Sequence, residues 1–460
     1  MDWMKGACAL LIVSLAGLAG IDASGINAAG TPASGNSAAG ISAAGHSKIK
    51  DPPPDLAPAD TLFQEGRFDE AKKIYADAAL KDKKDFRAAF QLGHIALLSN
   101  KLGDAEMWLT RALDLKHHDV DTRILLAETL YRKNDFFHAA REIAGLGPGD
   151  TAKLANYATL NAAKLDSFRE EDPYKFDKGA GESTRLPFVA RDPLPVVKVR
   201  VNGGPDVTFF IDTGGSELLL DAEFARELKL KSFGDVQGTF SGGQHAPVGN
   251  SRIESLTLGS WTIRNLPVGT LPIRSMSASF GVKQLNGCIG TNVLYQFLST
   301  IDYRAGELIL RKKSSANLKR FEADNDGKAY VIPMWMAGDH FMITWAEVDR
   351  MPPALMFVDS GLAGAGVKLA ESTIQKAGIH LDESKATEGQ GGGGALKIIP
   401  YTVAEFVVGG LKQINVAGLY DGPFPWENEF GFRLAGMFGN DFLKQYTVTF
   451  DFTNMRIIFR

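Results

Sequence analysis

The spacing of apolar and polar residues changes character three times along the chain. Lys5 precedes one unbroken apolar run, GACALLIVSLAGLAG, shorter than the ~20 residues a bilayer-spanning helix needs. Small residues follow near Gly20 to Ala23, and the combination predicts a cleavable export signal over residues 1–23. From Ser24 to Lys50 the chain is Ala, Gly and Ser with almost no large apolar side chain. Such a stretch cannot bury enough surface to offset the entropy of ordering. With DPPPDLAP behind it, residues 24–55 read as a tether. Residues 56–170 return to helix-length apolar segments such as FRAAFQLGHIALL and TRILLAETLYRK. EDPYKFDKGAGEST then interrupts with Pro and Gly, which predicts a polar connector over 171–185. Beyond Pro187 the alternation becomes that of strands, in VVKVRVNG, VTFFID, SRIESLTLG and ELILRKK.

The helical part repeats. Ala71, Ala105 and Ala139 stand 34 residues apart, in the matching contexts GRFDEAKKIY, KLGDAEMWLT and NDFFHAAREI. A small residue at that point lets paired helices approach closely. About three units of this period, the first incomplete, resemble tetratricopeptide repeats. The resemblance implies helix pairs that bury their apolar faces by stacking, with a concave side that holds a peptide or protein partner. The plainer alternative is a spacer or lid for the next domain. Since the array has its own repeating core, it is expected to fold independently of the strand-rich part. His117 and His118 fall at an inter-repeat turn, where a solvated pair is expected.

The strand-rich part is written twice, over 186–318 and 326–460. FFIDTGGSELLL in the first copy matches MFVDSGLAGAGV in the second, placing Asp212 and Asp359 147 residues apart. Gly259 and Gly409 are 150 apart, and Gly290 and Gly439, like Asp302 and Asp451, are 149 apart. Features recurring in one order at nearly one offset indicate an internal duplication.

From Leu186 to Arg460 the chain resembles the aspartic proteases. The residues carrying the resemblance are the two triplets, Asp212-Thr213-Gly214 and Asp359-Ser360-Gly361, and the later steps Cys288-Ile289-Gly290 and Met437-Phe438-Gly439. Lobes this short are similar to fused retropepsin-type lobes. The expected architecture is therefore multidomain, an all-α helical repeat followed by an all-β bilobal acid-protease fold. The resemblance implies that Asp212 and Asp359 are catalytic, that the Thr213 and Ser360 hydroxyls bond across the lobes, and that Gly214 and Gly361 let the backbone approach the carboxylates. It also implies flaps at Gly238 to Gly249 and Gly389 to Gly394, with Phe240, Ser241, Gly242, Gly243, Gly391 and Gly392 against the substrate. The sequence departs from many pepsins in having Gly215 and Leu362 after the triplets and no Tyr in either flap.

The chemistry also follows from the residues. An apolar strand such as VTFFI is a costly place to end on a carboxylate unless it is paired or functional. Pseudo-twofold packing of the copies would bring the two carboxylates together, where they hold one shared proton. One then takes a proton from water while the other donates to a peptide carbonyl. The expected function is aspartic endopeptidase, with peptide or protein substrates and no cofactor or metal. The alternative is a catalytically weak or inactive peptide-binding protein of the same fold.

Composition narrows the rest. Fifty basic against 54 acidic side chains give a net charge of -4, so no excess of positive charge invites nucleic acid. Hydrophobic content of 45% and charged content of 23% exclude a multi-span membrane protein and wholesale disorder. Two cysteines, Cys8 and Cys288, exclude a disulfide framework and a cysteine zinc cluster. The expected location is periplasmic or secreted, with no membrane span once the signal is removed, or anchored by an uncleaved N-terminal segment. Cys288 reads as core, and His245 and His340 as isolated histidines.

Overall fold

The computed structural model describes the strand Leu11–Ile12 and residues 55–460, except 148, 151–152, 155–156, 158, 326 and 328. The expected signal and tether otherwise lie outside the described residues. Among these no helix is long and apolar enough to cross a membrane.

The 34-residue period becomes three helix pairs. They are α1 (Ala57–Gln64) with α2 (Phe68–Lys81), α3 (Phe86–Leu98) with α4 (Leu102–Leu115), and α5 (Val120–Arg132) with α6 (Phe136–Ala144). Ala71, Ala105 and Ala139 open the second helix of each pair and are fully buried. The Asp85 and Asp119 carboxylates accept the backbone N–H of Ala88 and Thr122 at 2.9 and 3.0 Å, capping α3 and α5 and satisfying N–H groups left over in the first turn. A short helix α7 (Ala162–Asp166) follows.

Each strand-rich copy forms an eight-stranded path in the same order. In lobe 1 it runs Asp235–Thr239, His245–Leu258, Trp261–Leu271, Leu218–Asp221, Gly287–Ile289, Asp206–Ile211, Val196–Val201, Ser183–Ala190. In lobe 2 it runs Thr387–Gly391, Gly394–Val408, Leu411–Tyr420, Val367–Leu369, Gly436–Gly439, Ala354–Asp359, Phe341–Val348, Trp335–Ala337. The lobes meet where Phe297–Asp302 pairs antiparallel with Thr447–Asp451. The equivalent residues Thr300 and Thr449 face each other there, their hydroxyls 2.8 Å apart, so the pseudo-twofold axis passes between them. The helical repeat followed by a bilobal β region is thus the observed fold class.

The array does not stand apart from the lobes, as an independent unit would. One hydrophobic cluster runs from Tyr131, Phe136 and Phe168 into Trp261 and Phe297 of lobe 1 and Met336 and Phe438 of lobe 2. A second joins Phe63, Phe68 and Tyr75 to Phe341, Trp426 and Phe432 of lobe 2. Buried polar groups cross the same boundary. Arg132 donates to the carbonyls of Met336 and Gly338, and Lys164 pairs with Glu217 at 2.7 Å. Glu217 also accepts from the Tyr131 hydroxyl at 2.7 Å. The expected connector is likewise built in, because Lys175–Phe176 pairs with Arg264 and Ile263 and Phe176 packs on Trp261. Its polar residues hid one strand-forming pair. The array's inner face is partly covered by lobe 2, where Phe432 lies against Phe63 and Phe68 and the Arg433 N–H donates to Gln64 O.

Candidate active site

The apolar strand Asp206–Ile211 ends with Phe209, Phe210 and Ile211 fully buried. It lies parallel to Gly287–Ile289, whose other edge carries Leu218–Asp221 antiparallel. The chain must therefore cross the end of the middle strand between residues 212 and 217. That loop is sewn onto the turn beyond the middle strand: Gly290 N–H donates to Glu217 O at 3.0 Å, Thr291 N–H to Gly215 O at 2.8 Å and Asn292 N–H to Ser216 O at 2.8 Å. A Cβ at Gly290 would sit 2.2 Å from Glu217 O, which explains the glycine of the repeated apolar-apolar-Gly step. Lobe 2 does the same with Ala354–Asp359 beside Gly436–Gly439; Asn440 N–H donates to Leu362 O at 2.9 Å.

The two loops lock together on the axis. Thr213 N–H donates to Ser360 Oγ at 2.9 Å and Ser360 N–H to Thr213 Oγ1 at 2.8 Å. The Thr213 hydroxyl passes on to Val358 O at 3.0 Å. Each carboxylate accepts the N–H of its own triplet glycine, Gly214 to Asp212 Oδ1 at 2.7 Å and Gly361 to Asp359 Oδ1 at 2.8 Å. Each also presses on the other triplet. A Cβ on Gly214 would fall 2.5 Å from Asp359 Oδ1, and one on Gly361 2.1 Å from Asp212 Oδ1. Both Oδ2 atoms are buried without a hydrogen-bond partner among the described residues.

Burial pushes both carboxyls above the usual carboxylate range. The Asp359 charge pushes Asp212 further, against the N–H groups of Gly214 and Gly215. Asp359 rises less, since the Gly361 N–H, a hydrogen bond from Asp212, and then His340 and Lys368 favour its anion. Two carboxyls so placed hold one proton between them, and the groups around Asp359 favour the charge on its side. Cys288 lies below, its thiol pushed up by burial and both carboxylates, as suits a core residue.

The asymmetry comes from residues whose role the sequence alone did not disclose. Lys368 occupies the position that Leu219 holds in lobe 1, because Met437 faces the one and Cys288 the other. Its ammonium is buried in an ion pair with Asp421. An isolated lysine in the apolar stretch GAGVKLA was the available signal. His340 is fully buried, its Nδ1 2.5 Å from Asp339 Oδ1; an Asp-His step at a turn between apolar strands marked it.

The candidate flap residues converge above the pair. The tip of the first hairpin turns at Phe240, whose N–H donates to Gln244 O at 2.7 Å. Phe240 is fully buried among Phe210, Leu219 and Ala363. Ser241 donates to Asp421 Oδ2 at 2.7 Å and accepts from Lys368. Gly242, at φ +71°, has no room for a Cβ, which would meet Asp421 O at 2.7 Å. Gly392, at the tip of the second hairpin, lies on the Phe240 ring, where a Cβ would come 2.4 Å from Cδ1. Gln244 Nε2 donates to Ala395 O at 2.6 Å. Gly391 is buried in the second hairpin, while a Cβ on Gly243 would have nothing within 4 Å. The two hairpin tips thus pack against each other, and Asp212 and Asp359 have 0% exposure.

Comparison with known proteins agrees for lobe 1. Residues 197–293 match the family model described as aspartyl protease, a span that holds Asp212 and Gly290 but not Asp359. This part of the chain is an aspartyl-protease-like domain. Among solved structures, conglutin gamma, a basic 7S globulin from lupine seeds, aligns at 9% identity with a TM-score of 0.34, over 61% of this chain and 95% of that one. No curated protein matches.

Proposed function

We propose that the chain is an aspartic endopeptidase. The observation that carries this reading is the pair of buried carboxylates, each against the other triplet's glycine, on loops tied by reciprocal Thr213 and Ser360 hydrogen bonds. In the proposed reaction Asp359 takes a proton from a water whose oxygen attacks the peptide carbonyl carbon. Asp212 gives its proton to the carbonyl oxygen. The resulting gem-diol returns a hydroxyl proton to Asp212, Asp359 protonates the leaving nitrogen, and the C–N bond breaks. The catalytic pair ends as it began, with no covalent enzyme intermediate.

The substrate is an extended peptide that takes the place of the Phe240 side chain beneath the raised flaps. Phe240, Ser241, Gly242, Gly243, Gly391 and Gly392 would then line it. The N-terminal run directs the protein to the periplasm or beyond the cell, or holds it there as an anchor. The array's docking role narrows to the part of its inner face that lobe 2 leaves open. A second reading, a peptide binder of little activity, draws support from the full burial of the pair.

Incubation with denatured casein across pH 3–7, with and without a pepstatin-type inhibitor, decides between them. Inhibitor-sensitive cleavage is expected. Binding of unfolded peptide with no cleavage at any pH would leave the binder.

A further inference from the structure

Between the inner face of the array and lobe 2 lies a cleft of about 600 Å³. It is separate from the carboxylate pair. Its walls come from the first helix of each repeat, α1, α3 and α5, and from the lobe 2 segment around Phe430. Phe63, Phe90 and Phe430 give it an aromatic lining, and its polar groups are unevenly satisfied.

The cations are engaged. At the rim Arg87 is held by Asp60 and Lys153 by Asp121. Arg132 is bonded to Glu128 and to the carbonyls of Leu97, Met336 and Gly338; its Nε has no partner among the described residues, and Arg132 is not one of the residues lining the cleft. Two of the acceptors on the α3 and α5 walls are left over among the described residues. Glu128 is 1% exposed, and its Oε2 has no hydrogen-bond partner among the described residues. Gln91 Oε1 is also buried without one. Burial holds His94 neutral, down to about 4, so it adds no positive charge. Unmatched buried acceptors are costly, and their complement is a donor bearing positive charge.

We propose that this cleft binds a cationic amine with an apolar body, the ammonium held by Glu128 Oε2 and Gln91 Oε1 and the body lying against Phe63, Phe90 and Phe430. An anion would meet no unengaged cation on these walls among the described residues. A free amine and a basic side chain of an apolar peptide share this chemistry.

One consequence is specific. Burial raises the Glu128 carboxyl to about 8, aided by Asp339 and opposed by Arg132, with His94, Tyr157 and Glu429 also around the cleft. A bound ammonium stabilises the anion, so binding near neutral pH releases a proton and tightens as pH rises toward 8.

The test is calorimetric titration of the full chain with 4-phenylbutylamine, 4-phenylbutyrate and an acetylated, amidated Phe-Lys-Phe peptide. It needs no hydrolysis, so its outcome is independent of the proposed protease activity. The amine is expected to bind with proton release, seen as a dependence of the heat on the buffer's ionisation heat, while the butyrate does not bind. Binding of the peptide alone would support the same chemistry and identify its source. Glu128→Gln is expected to weaken amine binding roughly tenfold or more. If Glu128→Gln fails to fold, Gln91→Leu decides. It removes an unsatisfied acceptor, so it should leave folding intact and still weaken binding about threefold to tenfold. Absence of binding by both amine and peptide to millimolar concentration, equal binding of the butyrate, or unchanged affinity in the variants that fold would overturn the proposal.

Discussion

Asp212 and Asp359 occupy equivalent positions in the two lobes but differ in their neighbours. Lys368 and His340 lie on the Asp359 side, and lobe 1 offers Leu219 where lobe 2 has Lys368. These neighbours favour the anion on the Asp359 side of a pair that shares one proton. In the proposed reaction each carboxylate has its own proton-transfer role, so replacing either by Asn is expected to lower cleavage by roughly 10²–10⁴-fold, read as kcat/KM on an unfolded peptide. Stability should respond in the opposite direction. Both carboxyls are raised by burial, so the folded state holds protons that the unfolded chain gives up. Their contribution is therefore greatest at acid pH and declines as pH rises from the ordinary carboxylate range through the raised values. Asp212→Asn removes that penalty, so its Tm should exceed that of the parent at pH 7 and approach it near pH 3. A variant less stable than the parent at pH 7 would contradict the buried, raised carboxyl. The triplets were legible in the sequence because duplication repeats them. Lys368 was not, because its meaning depends on Asp421, 53 residues further on, and on a serine from the other lobe.

At the scale of elements, the repeated offset near 149 foretold two copies of one lobe, and both lobes do solve the same crossing with the same glycine step. It did not foretell that the flaps are shut. Hairpin closure is decided by contacts between lobes, and Ser241, Lys368 and Asp421 come from three separate elements. Ser241 is the flap's polar tie: it bonds both members of the buried ion pair. Ser241→Ala removes that tie without unpairing Lys368 and Asp421. The loss of one or two such bonds, about 1–3 kcal/mol, should appear as faster amide hydrogen exchange confined to residues 238–249. If flap opening limits turnover, kcat on a short peptide should rise with it. Unchanged exchange would show that Phe240 and the Gln244 bond to Ala395 hold the hairpin down without Ser241. Lys368→Met is expected to be far more damaging, about 3–5 kcal/mol, because it strands Asp421 as a buried unpaired charge; chemical denaturation measures it.

At the scale of the whole molecule, periodicity suggested two bodies and the packing makes one. The 34-residue repeat correctly marked three helix pairs. A period records only which faces are apolar, however, and cannot say whether those faces meet each other or a neighbouring domain. Here Tyr131, Phe136 and Phe168 share a cluster with Trp261 and Phe297, and Phe63 and Phe68 share one with Phe341 and Trp426. The polar contacts are stricter still. Glu217, in the crossing loop of lobe 1, is 2% exposed and is satisfied by Lys164 and Tyr131, both from the helical part. A chain beginning near Gly181 would keep Glu217 and lose both partners, while uncovering the aromatic residues of lobe 2. It is therefore expected to fail to fold, showing no cooperative thermal transition and a weak near-UV signal, and the full chain should unfold in a single step. Lys164→Met tests the same joint within the full chain. It strands the Glu217 carboxylate and should cost about 3–5 kcal/mol, and Lys164→Met combined with Glu217→Gln should recover much of that loss, since the buried charge is gone while an amide oxygen can still accept from Tyr131. A truncated chain that folds and cuts a short peptide, or a double variant no more stable than Lys164→Met alone, would show that the crossing loop stands without the array.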